Sequence, residues 1–225
     1  MENQYYMKPA LAMIKGNFAR NGIESPLLDK NIDDLTENEI ESIFAKAREQ
    51  GLKLYHFKRS DRLLPRVSKI LGILRGFYFE SLLDVGSGRG AFLLPFMDTF
   101  PHVSVKSVDI LDKRIEMLRD MQNGGLENFT AEKKNICDLQ DSKAVDVVTM
   151  LEVLEHIPNY EKAIENAVRL AKKYVILSVP SHEDDNEEHI NLLTKEILTK
   201  CFNAQGVTKI SFDEVHGHLI AIIQI

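Results

Sequence analysis

A short stretch in the first half of the chain has the residue types and spacing to hold a nucleoside. Leu82-Leu83-Asp84-Val85 is an apolar run with one acid in it. Gly86-Ser87-Gly88-Arg89-Gly90 follows, and Ala91-Phe92 opens a second apolar stretch. Glycines permit positive φ and let a ligand lie close against the backbone. A strand, a tight glycine turn and a helix start form the nucleotide cradle of open α/β sheets. Val103-Ser104-Val105-Lys106-Ser107-Val108 reads as the next strand, with Asp109 at its end. A carboxylate there can accept hydrogen bonds from both hydroxyls of a ribose.

The turn is Gly-x-Gly-x-Gly rather than the Gly-x-Gly-x-x-Gly of dinucleotide sites. With Asp84 before it and Asp109 after it, the set resembles that of the class I S-adenosylmethionine-dependent methyltransferases. The resemblance covers about residues 60–225. It implies an α/β fold with a Rossmann-like, seven-stranded, mostly parallel sheet whose last strand is antiparallel. It implies S-adenosylmethionine as cofactor. Asp84 would then lie near the methionine part of the ligand, and Gly86, Ser87, Gly88 and Gly90 would face its amino-acid portion and sugar. Asp109 would hold the ribose. Ile110 and Leu151 join the expected cofactor site. Asn135-Ile136-Cys137-Asp138 would form the loop over the adenine, with Asn135 or Asp138 accepting from its exocyclic amine and Ile136 packing on the ring.

Methyl transfer from a sulfonium needs alignment of acceptor, methyl and sulfur, and in some cases a base for the acceptor's proton. Glu152, Glu155 and His156 stand at i, i+3 and i+4, one side of a helical turn. Two readings of that trio stand side by side. In one they are structural, catalysis uses no metal, and His189, His182 and His156 are the candidate catalytic groups. In the other, Glu152, Glu155, His156 and His189 hold a divalent ion. The second reading carries a resemblance to small-RNA 3′-terminal 2′-O-methyltransferases, which use a Glu-x-x-Glu-His arrangement and a later histidine. The loop Ser181–His189 carries five carboxylates and two histidines, suited to a solvated surface or to a cationic acceptor. His218, in the terminal hairpin, reads as structural, with a position toward the cleft as the alternative, and His56 and His102 have no partner visible in sequence.

The 225 residues are 44% apolar and 28% charged, enough for one domain with a real core. A net charge of −6 and a pI near 5.7 argue against a general nucleic-acid binder. Cys137 and Cys201 form no C-x-x-C pair, which argues against a thiolate zinc site and fits free thiols in a reducing compartment. Met1-Glu2-Asn3-Gln4 does not read as a secretory leader, and no apolar run reaches the about 20 residues of a membrane span. A cytoplasmic location and no membrane partner are expected.

The elements that must position these residues alternate. Strands are expected at 80–85, 103–109, 129–134, 145–150, 173–179, 207–213 and 218–225, and helices at 90–99, 112–122, 160–171 and 194–204. That alternation implies a parallel sheet covered on both faces. Residues 51–225 form the expected catalytic domain, and residues 1–50 an N-terminal helical segment placed as a lid. Within it, Thr36 and Glu39 form a capping box, and Gly51 ends the helix. Residues 51–80 carry seven Lys or Arg against two acids, a solvated face or an anion-binding one. The expected function is methyl transfer to an oxygen or nitrogen of a small molecule. An Mg-dependent RNA 2′-O-methyltransferase and a non-catalytic cofactor-binding subunit are the rivals. The sequence leaves the oligomeric state open.

Overall fold

Seven strands form one sheet in the order β3-β2-β1-β4-β5-β7-β6. They are β1 (Ser81–Val85), β2 (Ser104–Asp109), β3 (Phe129–Lys133), β4 (Val145–Leu151), β5 (Ala171–Pro180), β6 (Lys209–Val215) and β7 (His218–Gln224). β7 runs antiparallel to both β5 and β6, and the other described pairings are parallel. The computed structural model describes residues 4–60, 62–183 and 185–225. The leader reading at Met1-Glu2-Asn3, Asp61 of the basic stretch and Asp184 of the acidic loop lie outside the described residues.

The strands are apolar on both faces because helices cover both. Leu82, Val105, Val147 and Ile176 point into one core cluster, and Leu83, Val148 and Leu177 into the other. Helices α1 (Met7–Arg20), α2 (Glu37–Glu49), α3 (Pro65–Leu74), α4 (Leu93–Thr99) and α5 (Asp112–Asn123) line the first, and α6 (Tyr160–Leu170) and α7 (Lys195–Ala204) the second. No described helix is long and apolar enough to cross a membrane.

The N-terminal segment is tied into the core of the sheet domain. Ala10, Leu11, Ile14 and Phe18 of α1 are buried in one cluster with Leu118 and Met121 of α5. Two glycines set the approach. A Cβ on Gly16 would stand 1.9 Å from the Asp120 carbonyl oxygen, and one on Gly124 would stand 1.7 Å from that of Ala12. Arg20 then donates from Nε and Nη2 to the two oxygens of buried Asp120, at 2.8 and 2.9 Å. α1 therefore packs as a layer of the core against α5, in a cluster that continues beyond residue 50. The capping box of α2 forms as expected: Glu39 N–H donates to Thr36 Oγ1, and Thr36 N–H donates to Glu39 Oε2.

α4 begins at Leu93 rather than at residue 90. Gly90 has φ 81°, and its N–H donates to the Ser87 carbonyl, so the chain is still turning there.

Candidate active site

The glycine turn leaves the end of β1 at the carboxyl edge of the parallel strands, where open α/β sheets bind ligands. Gly86 adopts φ 69°, and a Cβ there would meet Val153 Cγ2 at 2.6 Å. The residue must be glycine both for its dihedral and for the nearness of the chain after β4.

Asp84 sits beneath this turn and is 2% exposed. It accepts from Ser87 Oγ at 2.5 Å and from Thr149 Oγ1 at 2.7 Å. Ser87 Oγ also lies 2.6 Å from Ser107 Oγ. Burial pushes the carboxyl up from its ordinary 3.8 to about 6, against the lowering effect of the two hydroxyls, and the nearby Asp109 charge adds to the rise. The two Asp84 oxygens anchor the turn from below by accepting from these hydroxyls.

Asp109 closes the turn from β2. Its Oδ2 accepts from Gly88 N–H at 3.2 Å and its Oδ1 from Leu111 N–H at 2.9 Å. Each oxygen keeps a further lone pair for a ribose hydroxyl. Ile110 beside it is 58% exposed, an apolar side chain turned out next to a carboxylate. Ile110, Asn135 and Asp138 share an open hollow of about 570 Å³. Asn135 Oδ1 accepts from Cys137 N–H at 2.9 Å, which shapes the loop. Ile136 is corrected: it is buried in the core that contains α6, so Ile110 is the apolar surface open to an adenine here. Leu151 ends β4 half-buried. The turn, the hollow and Asp109 fit a nucleoside ligand of the expected kind.

Glu152, expected on one helical face with Glu155 and His156, is not there. It adopts φ 57°, a left-handed conformation rare outside glycine and asparagine, and only after it does a 3-10 turn form at Leu154–His156. The dihedral breaks the helical spacing. Glu152 Oε1 instead accepts from Ser178 Oγ at 2.7 Å, and Oε2 lies 3.0 Å from His218 Nδ1.

Glu155, His156 and His189 do converge, with one ligand-type atom of each within 4.8 Å of the others. Backbone bonds bring them together: the N–H groups of Ile190 and Asn191 both donate to the Glu155 carbonyl, at 3.0 and 3.2 Å. His156 Nδ1 lies 2.9 Å from the Glu188 carbonyl, which fixes that nitrogen as the protonated one and leaves Nε2 as a donor of a lone pair. His182 is exposed, with Nδ1 3.1 Å from Ser181 Oγ, and is not in this group.

Sequence reasoning gave Arg66, Ser178 and His56 no individual role and read His218 as structural. The His56 ring packs at a tilt against Tyr55, centroids 3.7 Å apart and planes at 45°. Burial lowers the basicity of the His56 imidazole, and Arg89 of the glycine turn and Arg114 of α5 lower it further. His56 thus lies within electrostatic reach of Arg89 and Arg114. No local signal marked any of these residues, because each acts through a partner distant in the chain. Three of the basic residues between 51 and 80 have acidic partners: Arg59 with Asp98 at 2.5 Å, Lys69 with Asp213 at 2.7 Å and Arg66 with Glu152 at 3.9 Å.

A family model described as a methyltransferase domain matches residues 54–211. A ubiquinone biosynthesis O-methyltransferase of Nitrosomonas europaea is 28% identical over 109 residues, 48% of this chain and 46% of that protein. The ribosomal RNA small subunit methyltransferase G of Exiguobacterium sibiricum is 36% identical over 86 residues, 36% of this chain and 31% of that protein. The chain thus spans less than half the length of these curated relatives. Among solved structures, 1,6-didemethyltoxoflavin-N1-methyltransferase of Burkholderia thailandensis, with 1,6-didemethyltoxoflavin and S-adenosylhomocysteine bound, superposes with TM-score 0.59 and 19% identity. That match covers 82% of this chain and 86% of the other.

Proposed function

The chain belongs to the methyltransferase domain family, in the class I S-adenosylmethionine-dependent group, and on that premise we propose that it methylates an oxygen or nitrogen of a small molecule. The observation that carries this reading is the pairing of Asp109, bonded to Gly88 N–H, with outward-turned Ile110 beside the open hollow. S-adenosylmethionine supplies an activated methyl group when bound. Asp109 binds the ribose, Ile110 covers the adenine face, and Gly86 and Gly88 let the remainder lie against the backbone. Two comparison proteins carry small-molecule names, the ubiquinone O-methyltransferase and the toxoflavin N-methyltransferase. That supports a small acceptor, as does the ion pairing of part of the basic stretch. The test is incubation with methyl-labelled S-adenosylmethionine and separate pools of metabolites, RNA and protein. Label should enter the metabolite pool. Label in RNA would overturn the acceptor class. No label anywhere, with S-adenosylhomocysteine still bound, would leave the non-catalytic subunit.

One observation favours a second reading of the acceptor side. His156 sets its Nδ1 on a backbone carbonyl, and one ligand-type atom each of Glu155, His156 and His189 converge within 4.8 Å. Under this reading Glu155, His156 and His189 hold a divalent ion. Glu152 is not among the ligands.

A further inference from the structure

We propose that His218 takes the proton from the acceptor's attacking hydroxyl and that Glu152 positions it. This assignment rests on the methyltransferase reading, with an oxygen acceptor.

Four chain segments meet at this point. Glu152 follows β4, Ser178 lies on β5, His218 opens β7 opposite Pro180, and Arg66 stands in the first turn of α3. They meet at the carboxyl edge of the sheet, one residue from Val153, which packs on Gly86 of the cofactor turn. The side chains of Arg66, Glu152 and His218 are 21%, 20% and 25% exposed, so they border open space without being freely solvated.

The tautomer follows from the partners. Arg66 Nη1 lies 3.2 Å from His218 Nε2, and a guanidinium only donates, so Nε2 carries a lone pair. The proton of the neutral ring is then on Nδ1, 3.0 Å from Glu152 Oε2. Ser178 Oγ holds the other Glu152 oxygen at 2.7 Å. The carboxylate stands at ion-pairing distance from Nδ1 but off the line of an N–H hydrogen bond, so it acts on the ring through its charge, while Nε2 offers the lone pair of a general base. The charged groups facing the imidazole are Glu152 from β4 and Arg66 from α3. The first offsets the positive charge that the ring gains with the acceptor's proton, and the second occupies Nε2 in the unliganded protein.

In the step, an acceptor hydroxyl takes the place of Arg66 at Nε2. Its proton moves to Nε2 as the oxygen–carbon bond to the methyl group forms and the carbon–sulfur bond breaks. The bonding pair of the broken bond stays on sulfur, leaving a neutral thioether. Arg66 donates to the acceptor oxygen while charge develops on it, and the proton on Nε2 passes to water. The left-handed backbone at Glu152 aims its carboxylate at β7 instead of along the following turn.

Two measurements test this. The unliganded protein, labelled with nitrogen-15 histidine, is read by NMR, with His218 assigned by its loss in His218→Asn. Near neutral pH the ring should be the Nδ1-protonated tautomer, and Glu152→Gln should move the Nδ1 and Nε2 resonances from their wild-type positions. Methyl transfer is then measured on a panel of phenols and catechols. His218→Asn should lose about 100- to 10,000-fold in kcat with S-adenosylhomocysteine affinity unchanged, and added imidazole should restore part of it in His218→Gly. Glu152→Gln should move the acidic limb of the pH profile. An Nε2-protonated ring, or His218→Asn with wild-type kcat, overturns the assignment and leaves the methyltransferase reading standing. Wild-type protein that binds S-adenosylhomocysteine but methylates none of the probes overturns the oxygen-acceptor reading and the assignment with it.

Discussion

Thr149 on β4 donates a 2.7 Å hydrogen bond to Asp84 on β1, tying the strand that leads to Glu152 to the strand that ends in the glycine turn. The bond is wholly buried, and Thr149 and Asp84 pair across the two strands. The cofactor turn and the acceptor side are thus registered to each other through one carboxylate.

That carboxylate makes stability depend on pH. The folded protein holds the Asp84 proton up to about pH 6, whereas the ordinary value is 3.8. Between those values the folded state binds more protons than the unfolded one, so this group's stabilising contribution is full below 3.8 and is lost as pH rises toward 6. The gap corresponds to about 3 kcal/mol. Urea unfolding of wild type and Asp84→Asn across this range should show wild type losing ground relative to the variant as pH rises. Parallel curves would show that Asp84 ionises normally.

Asp109→Ala should weaken S-adenosylhomocysteine binding by about 2–4 kcal/mol in calorimetry, through the lost ribose bonds and a loosened Gly88. Gly86→Ala should also weaken it, for another reason: its Cβ meets Val153 Cγ2 at 2.6 Å. Adding Val153→Ala should recover the part due to the clash but not the part due to φ 69°. If the double variant recovers nothing, the clash is not the cause.

Hydrogen exchange separates the fixed from the closing parts of the N-terminal region. α1 should be protected equally with and without S-adenosylhomocysteine, because Arg20, Asp120 and the Gly16–Gly124 crossing hold it to α5. The 51–57 stretch, whose His56 feels the charges of Arg89 in the glycine turn and of Arg114, should gain protection when ligand binds. Ligand-dependent protection in α1 would return the lid to the first helix.

Metal dependence decides between the readings of Glu155, His156 and His189. If they hold an ion, EDTA should abolish transfer, and Mg²⁺ or Mn²⁺ should restore it. Activity should also fall at low pH as the histidines protonate. His189→Ala should then lose activity that added metal does not recover, while Glu152→Gln should keep its metal affinity. Full turnover in EDTA would remove the ion.

The cofactor side was legible in the chain because its signals are local. Strand alternation, glycines at alternate positions and an acid closing the next strand are all read within a few residues, and so is the Thr36–Glu39 capping box. The start of α4 was not, since the glycine turn continues through Gly90 before a helix can begin. The acceptor side depended on what no local pattern encodes. Helical spacing placed Glu152 beside Glu155 and His156, but one left-handed residue sends it elsewhere. His218 reaches Glu152 because β7 inserts antiparallel between β5 and β6, which sets the first residue of β7 against the last of β5. Residue types and backbone breaks are properties of the chain itself. Which carboxylate meets which imidazole is set by sheet order, because packing free energy, not sequence distance, chooses neighbours.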